Sequence, residues 1–425
     1  MRFAVYTLAV GLATLAVVPA RAGTILYATA ASQDRVDGFC VNDKVGSPAY
    51  GSLAPTPAVK RCVGTPSRCT PGGGTDDNAP HHAEPRRLVV ANGVLYVAEL
   101  DRVEAFTIGP HGGLDKQGST EVLTKGKTGN NMEAVDITTS PDGSLLYVAE
   151  RGPDQVVAYS IPLASDAQLT SCIQGESNAD YLALTVHAGM LYVSGAGQVR
   201  GVNVYSINAD GSLPAPPANC VRSASKQTRS EPTVPLSCRK RLDKPRGMVI
   251  DETTNILYVE DKTQARVFAF VLQPDGTFSP APATCLQGSR KKKEQQKPLN
   301  KTDMVLPYQS LLLAPSAGAS SSQTTLFGIQ FEQGRVDAYR LQSDGKLSLK
   351  PTLDFADVRM TPVRGTINGT GNVLYLGGGE LDGVRAFRLN SDGMLAQTDF
   401  FSQTDSQPGS FPNDVAVAML SDTCP

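Results

Sequence analysis

The chain has 425 residues, 39 of them basic and 41 acidic, for a formal charge of −2, which excludes a surface built throughout to hold polyphosphate. Apolar residues make up 40% and charged residues 19%, enough for a sizeable core and too apolar for disorder throughout. The 40 glycines and 29 prolines exceed the usual joint share of roughly 12%, as expected of a turn-rich all-β chain.

The chain opens on a segment that does not read as part of the fold. Arg2 supplies a positive start, Val5 to Val18 an apolar run, and Ala20-Arg21-Ala22 a small-x-small cleavage site. The run falls short of the roughly 18 residues a bilayer span needs. Residues 1–22 therefore read as a signal peptide, and 23–425 as an exported, periplasmic or secreted chain with no membrane span.

The mature chain begins at once with a strand, Ile25-Leu26-Tyr27. The same Leu-Tyr-centred run returns at Val94–Val97, Leu145–Val148, Met190–Val193, Ile256–Val259, Thr325–Gly328 and Val373–Leu376, with aromatics 45 to 69 residues apart. Self-similarity at this period marks repeated four-stranded blades, the longer intervals carrying insertions. After each run comes an alternating segment, such as Arg102-Val103-Glu104-Ala105-Phe106 or Arg335-Val336-Asp337-Ala338-Tyr339, which predicts a strand with one face against a neighbouring sheet. Asp-Gly turns follow at Asp210-Gly211, Asp275-Gly276, Asp344-Gly345 and Asp392-Gly393, suited to hairpins between outer strands. The expected fold is all-β, a single seven-bladed β-propeller of four-stranded blades, with insertions near 62–84, 220–244 and 285–305. The first blade lacks an innermost strand, and Asn413 to Leu420 has the pattern to supply it and close the ring.

Eight cysteines suit an oxidising compartment. Spacing suggests Cys62 with Cys69 and Cys220 with Cys238 closing local loops, and Cys40 with Cys424 joining the first and last segments. Cys172 and Cys285 are left without an assigned partner. No C-x-x-C pair supports a zinc site.

The repeat Pro141-Asp142-Gly143-Ser144-Leu145-Leu146-Tyr147-Val148, followed by Gln155-Val156-Val157-Ala158-Tyr159, resembles the seven-bladed lactonase family with its YVTN-type repeats. That family includes propeller-type 6-phosphogluconolactonases and fungal carboxy-muconate lactonising enzymes, and the resemblance covers essentially the whole mature chain. It implies the propeller fold and a lactonase-type hydrolase. Family members typically carry histidines where inner strands begin. Here the only histidines are His81, His82, His111 and His187, with His187 predicted in a hairpin on the opposite face and His111 in an outer turn.

Aligning the starts of the inner strands gives one residue per blade at the channel mouth: Arg86, Glu133, Tyr181, Arg246, Tyr308, Arg364 and Asn413. Arginine clamps carboxylate or phosphate bidentately and keeps its charge when partly buried. The set reads as a seat for an anionic small molecule, with Glu133 as general base toward a water and the arginines steadying an oxyanion. Two plainer readings stay open: Glu133 pairing with Arg86 or Arg246 as a structural plug, and anion binding without chemistry. A second acidic set, Glu99, Glu150 and Asp261, at the same-face ends of second strands, reads as solvated and paired with arginines such as Arg102 and Arg151, with a contribution to the rim as the alternative. The loop Gly72 to Glu84, with Asp76, Asp77, His81, His82 and Glu84, reads as a solvated loop or a lid, with no metal site assigned. Basic runs at Arg222 to Lys244 and Arg290 to Lys297 make a polyanion the alternative partner.

No phosphate loop, dinucleotide fingerprint, nucleophile elbow or His-Glu-x-x-His motif occurs, so no cofactor is expected. With no Trp and 6% aromatics, specific nucleic-acid binding is not expected either, and the chain reads as a monomer.

Overall fold

The structure is a computed structural model that describes residues 23–30, 35–42, 44, 47, 49–55, 61–62, 85–99, 102–119, 133–151, 155–161, 163, 169–174, 181–195, 201–209, 211–213, 219–222, 242, 244–261, 266–278, 284–287, 310–315, 324–330, 335–342, 347–349, 353–354, 361–368, 371–379, 383–390, 395–403 and 414–421. Among the described residues there is no helix, and so none long and apolar enough to cross a membrane.

The strands form seven antiparallel sheets among these residues. The first holds β1 (Thr24–Ala30), β2 (Arg35–Val41), β3 (Leu53–Pro55) and β4 (Arg61–Cys62). The second runs β5 (Arg87–Ala91), β6 (Val94–Ala98), β7 (Val103–Ile108), β8 (Leu114–Ser119). The third is β9 (Glu133–Thr139), β10 (Leu145–Arg151), β11 (Gln155–Ser160), β12 (Leu169–Gln174). The fourth is β13 (Tyr181–His187), β14 (Met190–Gly195), β15 (Gly201–Ser206), β16 (Asn219–Arg222). The fifth is β17 (Pro245–Asp251), β18 (Ile256–Asp261), β19 (Arg266–Val271), β20 (Thr284–Gln287). The sixth is β21 (Ser310–Pro315), β22 (Thr324–Gln330), β23 (Arg335–Leu341), β24 (Leu347–Leu349), with β25 (Leu353–Asp354) also on β23. The seventh is β26 (Thr361–Ile367), β27 (Val373–Gly379), β28 (Gly383–Leu389), β29 (Leu395–Gln403). The last strand, β30 (Val415–Met419), returns to the first sheet and pairs with β1, Tyr27 facing Ala416.

Each apolar core is shared by two successive sheets. Tyr96 and Val103 of the second sheet pack with Leu146 and Val157 of the third. In the same way Tyr375 and Val384 of the seventh pack with Leu26 and Phe39 of the first. The repeated Leu-Tyr motif supplies both sides of these interfaces, because adjacent residues of a strand point to opposite faces. Leu146 thus faces the second sheet while Tyr147 faces the fourth.

The repeated tyrosine has a second role. The hydroxyls of Tyr27, Tyr147 and Tyr192 donate to the carbonyls of Gly112, Gly211 and Gly276, each in the outer turn of the next sheet. Burial accompanies this, and it pushes the Tyr147 and Tyr192 phenols up to about 12. Gly276 has a φ of 77° and lies so close over Met190 that a Cβ would collide with it. Only glycine meets both conditions. Replacing Tyr192 by Phe leaves the Gly276 carbonyl, reached at 2.6 Å, without its donor. The expected loss is about 1–2 kcal/mol, read as a lower urea midpoint at unchanged slope; an unmoved midpoint would show that the latch carries no energy.

Candidate functional site: charged groups on the inner strands

The strands β5, β9, β13, β17, β21, β26 and β30 pack side by side in that order, and β30 also packs against β5. Their register against the second strands defines one level, two residues beyond the repeated aromatic. Arg87 sits opposite Ala98, Asp136 opposite Ala149, Ala183 opposite Ser194, Ser310 opposite Ile329 and Arg364 opposite Gly377. On β17 the ladder skips from Pro245 to Met248, so Arg246 and Gly247 lie in an irregularity at the same end. Asp414 precedes β30, its carbonyl accepting the Thr29 N–H at 3.1 Å.

The charged members of this level converge. Asp136 Oδ1 lies 3.5 Å from Arg87 Nε and 3.4 Å from an Arg364 terminal nitrogen, while its Oδ2 accepts the Leu184 N–H at 2.8 Å. Asp414 Oδ2 accepts the Leu88 N–H at 3.0 Å. Each aspartate therefore ties its strand to the next sheet's inner strand and presents charge to the arginines. Burial, with the fields of Arg364 and Arg246, lowers the Arg87 guanidinium to about 10 against the pull of Asp414 and Asp136. Burial also raises Asp414, opposed by Arg364 and Arg87. The Nε of Arg87 is buried with no hydrogen-bond partner. Among the described residues, Arg87 and Arg364 thus share Asp136 and feel Asp414, while Arg246 stands near enough to oppose the Arg87 charge.

Two of the mouth residues predicted from sequence, Arg246 and Arg364, fall in this cluster. Arg86 is partly exposed just before β5; its N–H donates to the Ala98 carbonyl and its own carbonyl accepts from Arg87. Glu133 and Tyr181 are the first residues of β9 and β13, but their side chains lie outside the described residues, as do Tyr308 and Asn413 altogether. Arg87, Asp136 and Asp414 were not among the predicted residues. They emerge by counting back from the tyrosine across the first hairpin, which absorbs the bulges at Val135, Leu182 and Val363 that counting from the strand start cannot see.

The second acidic set requires a correction. Glu99, Glu150 and Asp261 are not solvated: their exposures are 0%, 1% and 0%. Glu99 directly follows β6, Glu150 is the penultimate residue of β10 and Asp261 the last of β18. The expected pairing holds for Glu99, with Arg102 Nε at 3.7 Å. Asp261 accepts the Lys244 N–H at 3.3 Å.

Among the described residues no group of His, Cys, Asp and Glu could hold a metal ion. His111 lies in the β7–β8 turn and His187 ends β13, with its Nδ1 3.9 Å from Glu252. His81, His82 and the basic insertions lie outside the described residues. Cys40 on β2 is disulfide-bonded. The side chains of Cys62 and Cys220, and Cys69, Cys238 and Cys424 entirely, lie outside the described residues, so the proposed pairings do as well.

The fold and cluster define a β-propeller with a charged inner-strand site. Residues 76–174 match the family described as "Lactonase, 7-bladed beta-propeller", and the chain resembles that family. The periplasmic gluconolactonase of Pseudomonas aeruginosa is 14% identical, with a TM-score of 0.64 over 94% of this chain and 99% of its own. A 6-phosphogluconolactonase candidate from Bacteroides fragilis is 13% identical, with a TM-score of 0.63 over 94% and 99%. A Lactobacillus plantarum protein is 12% identical, with a TM-score of 0.61 and the same coverage. At these identities the likeness is one of fold. No curated protein matches the sequence.

Proposed function

We propose that this chain is an exported, lactonase-like β-propeller, its ring closed by β30, that takes an anionic lactone at the inner-strand cluster and hydrolyses it. The observation that carries the reading is the convergence of Arg87, Arg246 and Arg364 at one level of the inner strands, close enough for Arg364 and Arg246 to lower the Arg87 guanidinium. Guanidiniums held by protein rather than water are preorganised for an oxyanion. In this mechanism Glu133 takes a proton from the attacking water. Arg87, Arg246 and Arg364 steady the carbonyl oxygen as it becomes an oxyanion. As the carbonyl re-forms, the bond from its carbon to the ring oxygen breaks, the ring oxygen takes the proton that Glu133 holds, and the hydroxy acid formed ionises.

The test is proton release by the mature protein in weak buffer over a panel of sugar and carboxylated lactones, with and without chelator. Release that ignores chelator is expected, and Glu133→Gln should abolish turnover while sparing binding. Full turnover in that variant would remove Glu133 from the mechanism. A second reading, a non-catalytic propeller that binds an anionic ligand or polyanion, is favoured by the position of His111 in the β7–β8 turn and of His187 at the hairpin end of β13, away from the cluster. Silence across the lactone panel with retained anion binding would select it.

A further inference from the structure

Glu150 stands apart from the other buried acids. Three residues after the repeated aromatic, the second strands carry Glu99, Glu150, Asp261 and Gln330, and the third strands set Arg102, Gln155, Arg266 and Arg335 beside them. Only Glu150 in this series is an acid that faces an amide. Gln155 donates to its Oε2 at 2.5 Å, its Oε1 has no partner, and the residue is 1% exposed. The register also breaks here: Ala149 pairs with Asp136, but Glu150 pairs with Ala134, leaving Val135 bulged.

The geometry points to Glu150 as a proton-sensing group whose ionisation loosens the β9–β10 bulge and with it the seat of Asp136. A neutral carboxyl tolerates this site; a carboxylate there is a buried charge with one hydrogen bond and no cation among the described residues. Among the described residues the elements packed on β10 do not supply one: β6 and β7 of the second sheet bring apolar Tyr96, Ala98, Val103 and Ala105 to the shared core. From β11 comes the amide of Gln155, and from β9 Asp136, itself an acid, engaged by Arg87 and Arg364. From β13 the one titratable side chain described is His187, at the far end beside Glu252. The side chains of Glu133 and Arg151 lie outside the described residues. Burial raises Glu150 from the ordinary 4.5 to about 7, with the Gln155 bond opposing. The folded state therefore holds a proton that the unfolded chain releases between those values, and stability falls as pH rises from about 4.5 to about 7. Opening at the bulge would draw Asp136 from Arg87 and Arg364, so the cluster is best assembled at mildly acidic pH; this functional half rests on the anion-site reading above.

The experiment compares thermal midpoints of the intact mature protein, Glu150→Gln and Gln155→Arg from pH 5 to 8.5, with calorimetric binding of D-gluconate at pH 6 and pH 8. Other titrating groups are common to all three proteins and cancel in the differences. The wild-type midpoint is expected to fall relative to Glu150→Gln as pH approaches 7 and to run parallel above it. Gln155→Arg, which restores the arginine found at the matching positions, should remove the fall. Gluconate affinity should drop at least about threefold from pH 6 to pH 8 in the wild type and stay level in Glu150→Gln. Parallel midpoint profiles for wild type and Glu150→Gln would overturn the proposal, and a pH-independent wild-type affinity would overturn its link to the site. Failure of gluconate to bind at any pH, with the midpoint difference present, would count against the anion site and leave Glu150 as a sensor of stability.

Discussion

Replacing Asp414 by alanine is expected to lower the unfolding free energy by about 3–5 kcal/mol, the range for removing one partner of a buried charge cluster. The carboxylate is 6% exposed. Its Oδ2 satisfies the Leu88 N–H and its Oδ1 the Val415 N–H, while Thr29 brackets its backbone from β1. Truncation strands an amide in the interface between the first and second sheets. It also leaves Arg87 and Arg364, whose fields already oppose each other, with one carboxylate between them. Asp414→Asn should be far milder, within about 1–2 kcal/mol, because it keeps an acceptor for Leu88. The raised pKa of Asp414 agrees: burial disfavours its charge more than the arginines reward it. Urea unfolding at pH 7 separates the cases. An alanine variant within 1 kcal/mol of wild type would mean that β30 docks without this residue.

The second large effect concerns binding. Arg364→Ala should weaken a sugar-acid ligand at least about 100-fold, since truncating a desolvated, charge-paired group costs roughly 2–5 kcal/mol. Arg364 reaches Asp136 from β26 through one terminal nitrogen, and its side chain is 20% exposed. Lysine should recover only part of the loss, because a point charge cannot reproduce the planar fork. Isothermal calorimetry with D-gluconate measures both. Equal affinity in Arg364→Ala and wild type, with unchanged thermal midpoints, would place the ligand elsewhere.

Much of the architecture was legible because one physical signal repeats. Each Leu-Tyr run became a second strand, from Tyr27 on β1 to Tyr375 on β27, since a strand buried on both faces must be apolar without interruption. The return of the chain end to the first sheet was equally visible, in the alternation of Asn413 to Leu420 and the missing partner of β1. The site was less so. Arg246 and Arg364, named from the Pro or Val before them at a recognisable strand start, lie in the described cluster. Its other members, Arg87, Asp414 and Asp136, stand one, one and three residues beyond Arg86, Asn413 and Glu133. Of these only Asp136 stands on a bulged strand, β9, where the register shift changes which side chain meets the level without any mark in the sequence; the ladders of β5 and β30 run without a shift. The acids of the second set were misread for a different reason. Their charge argues for solvent, and only the packed sheets show that they are buried.

The most direct test of the central claim is a crystal structure of the mature protein soaked with D-gluconate. The carboxylate is expected against the guanidiniums of Arg364 and Arg246, within hydrogen-bond distance of Arg87 Nε. Gluconate seated on the basic insertions, with Arg87, Asp136 and Arg364 closed on one another as a structural plug, would contradict it.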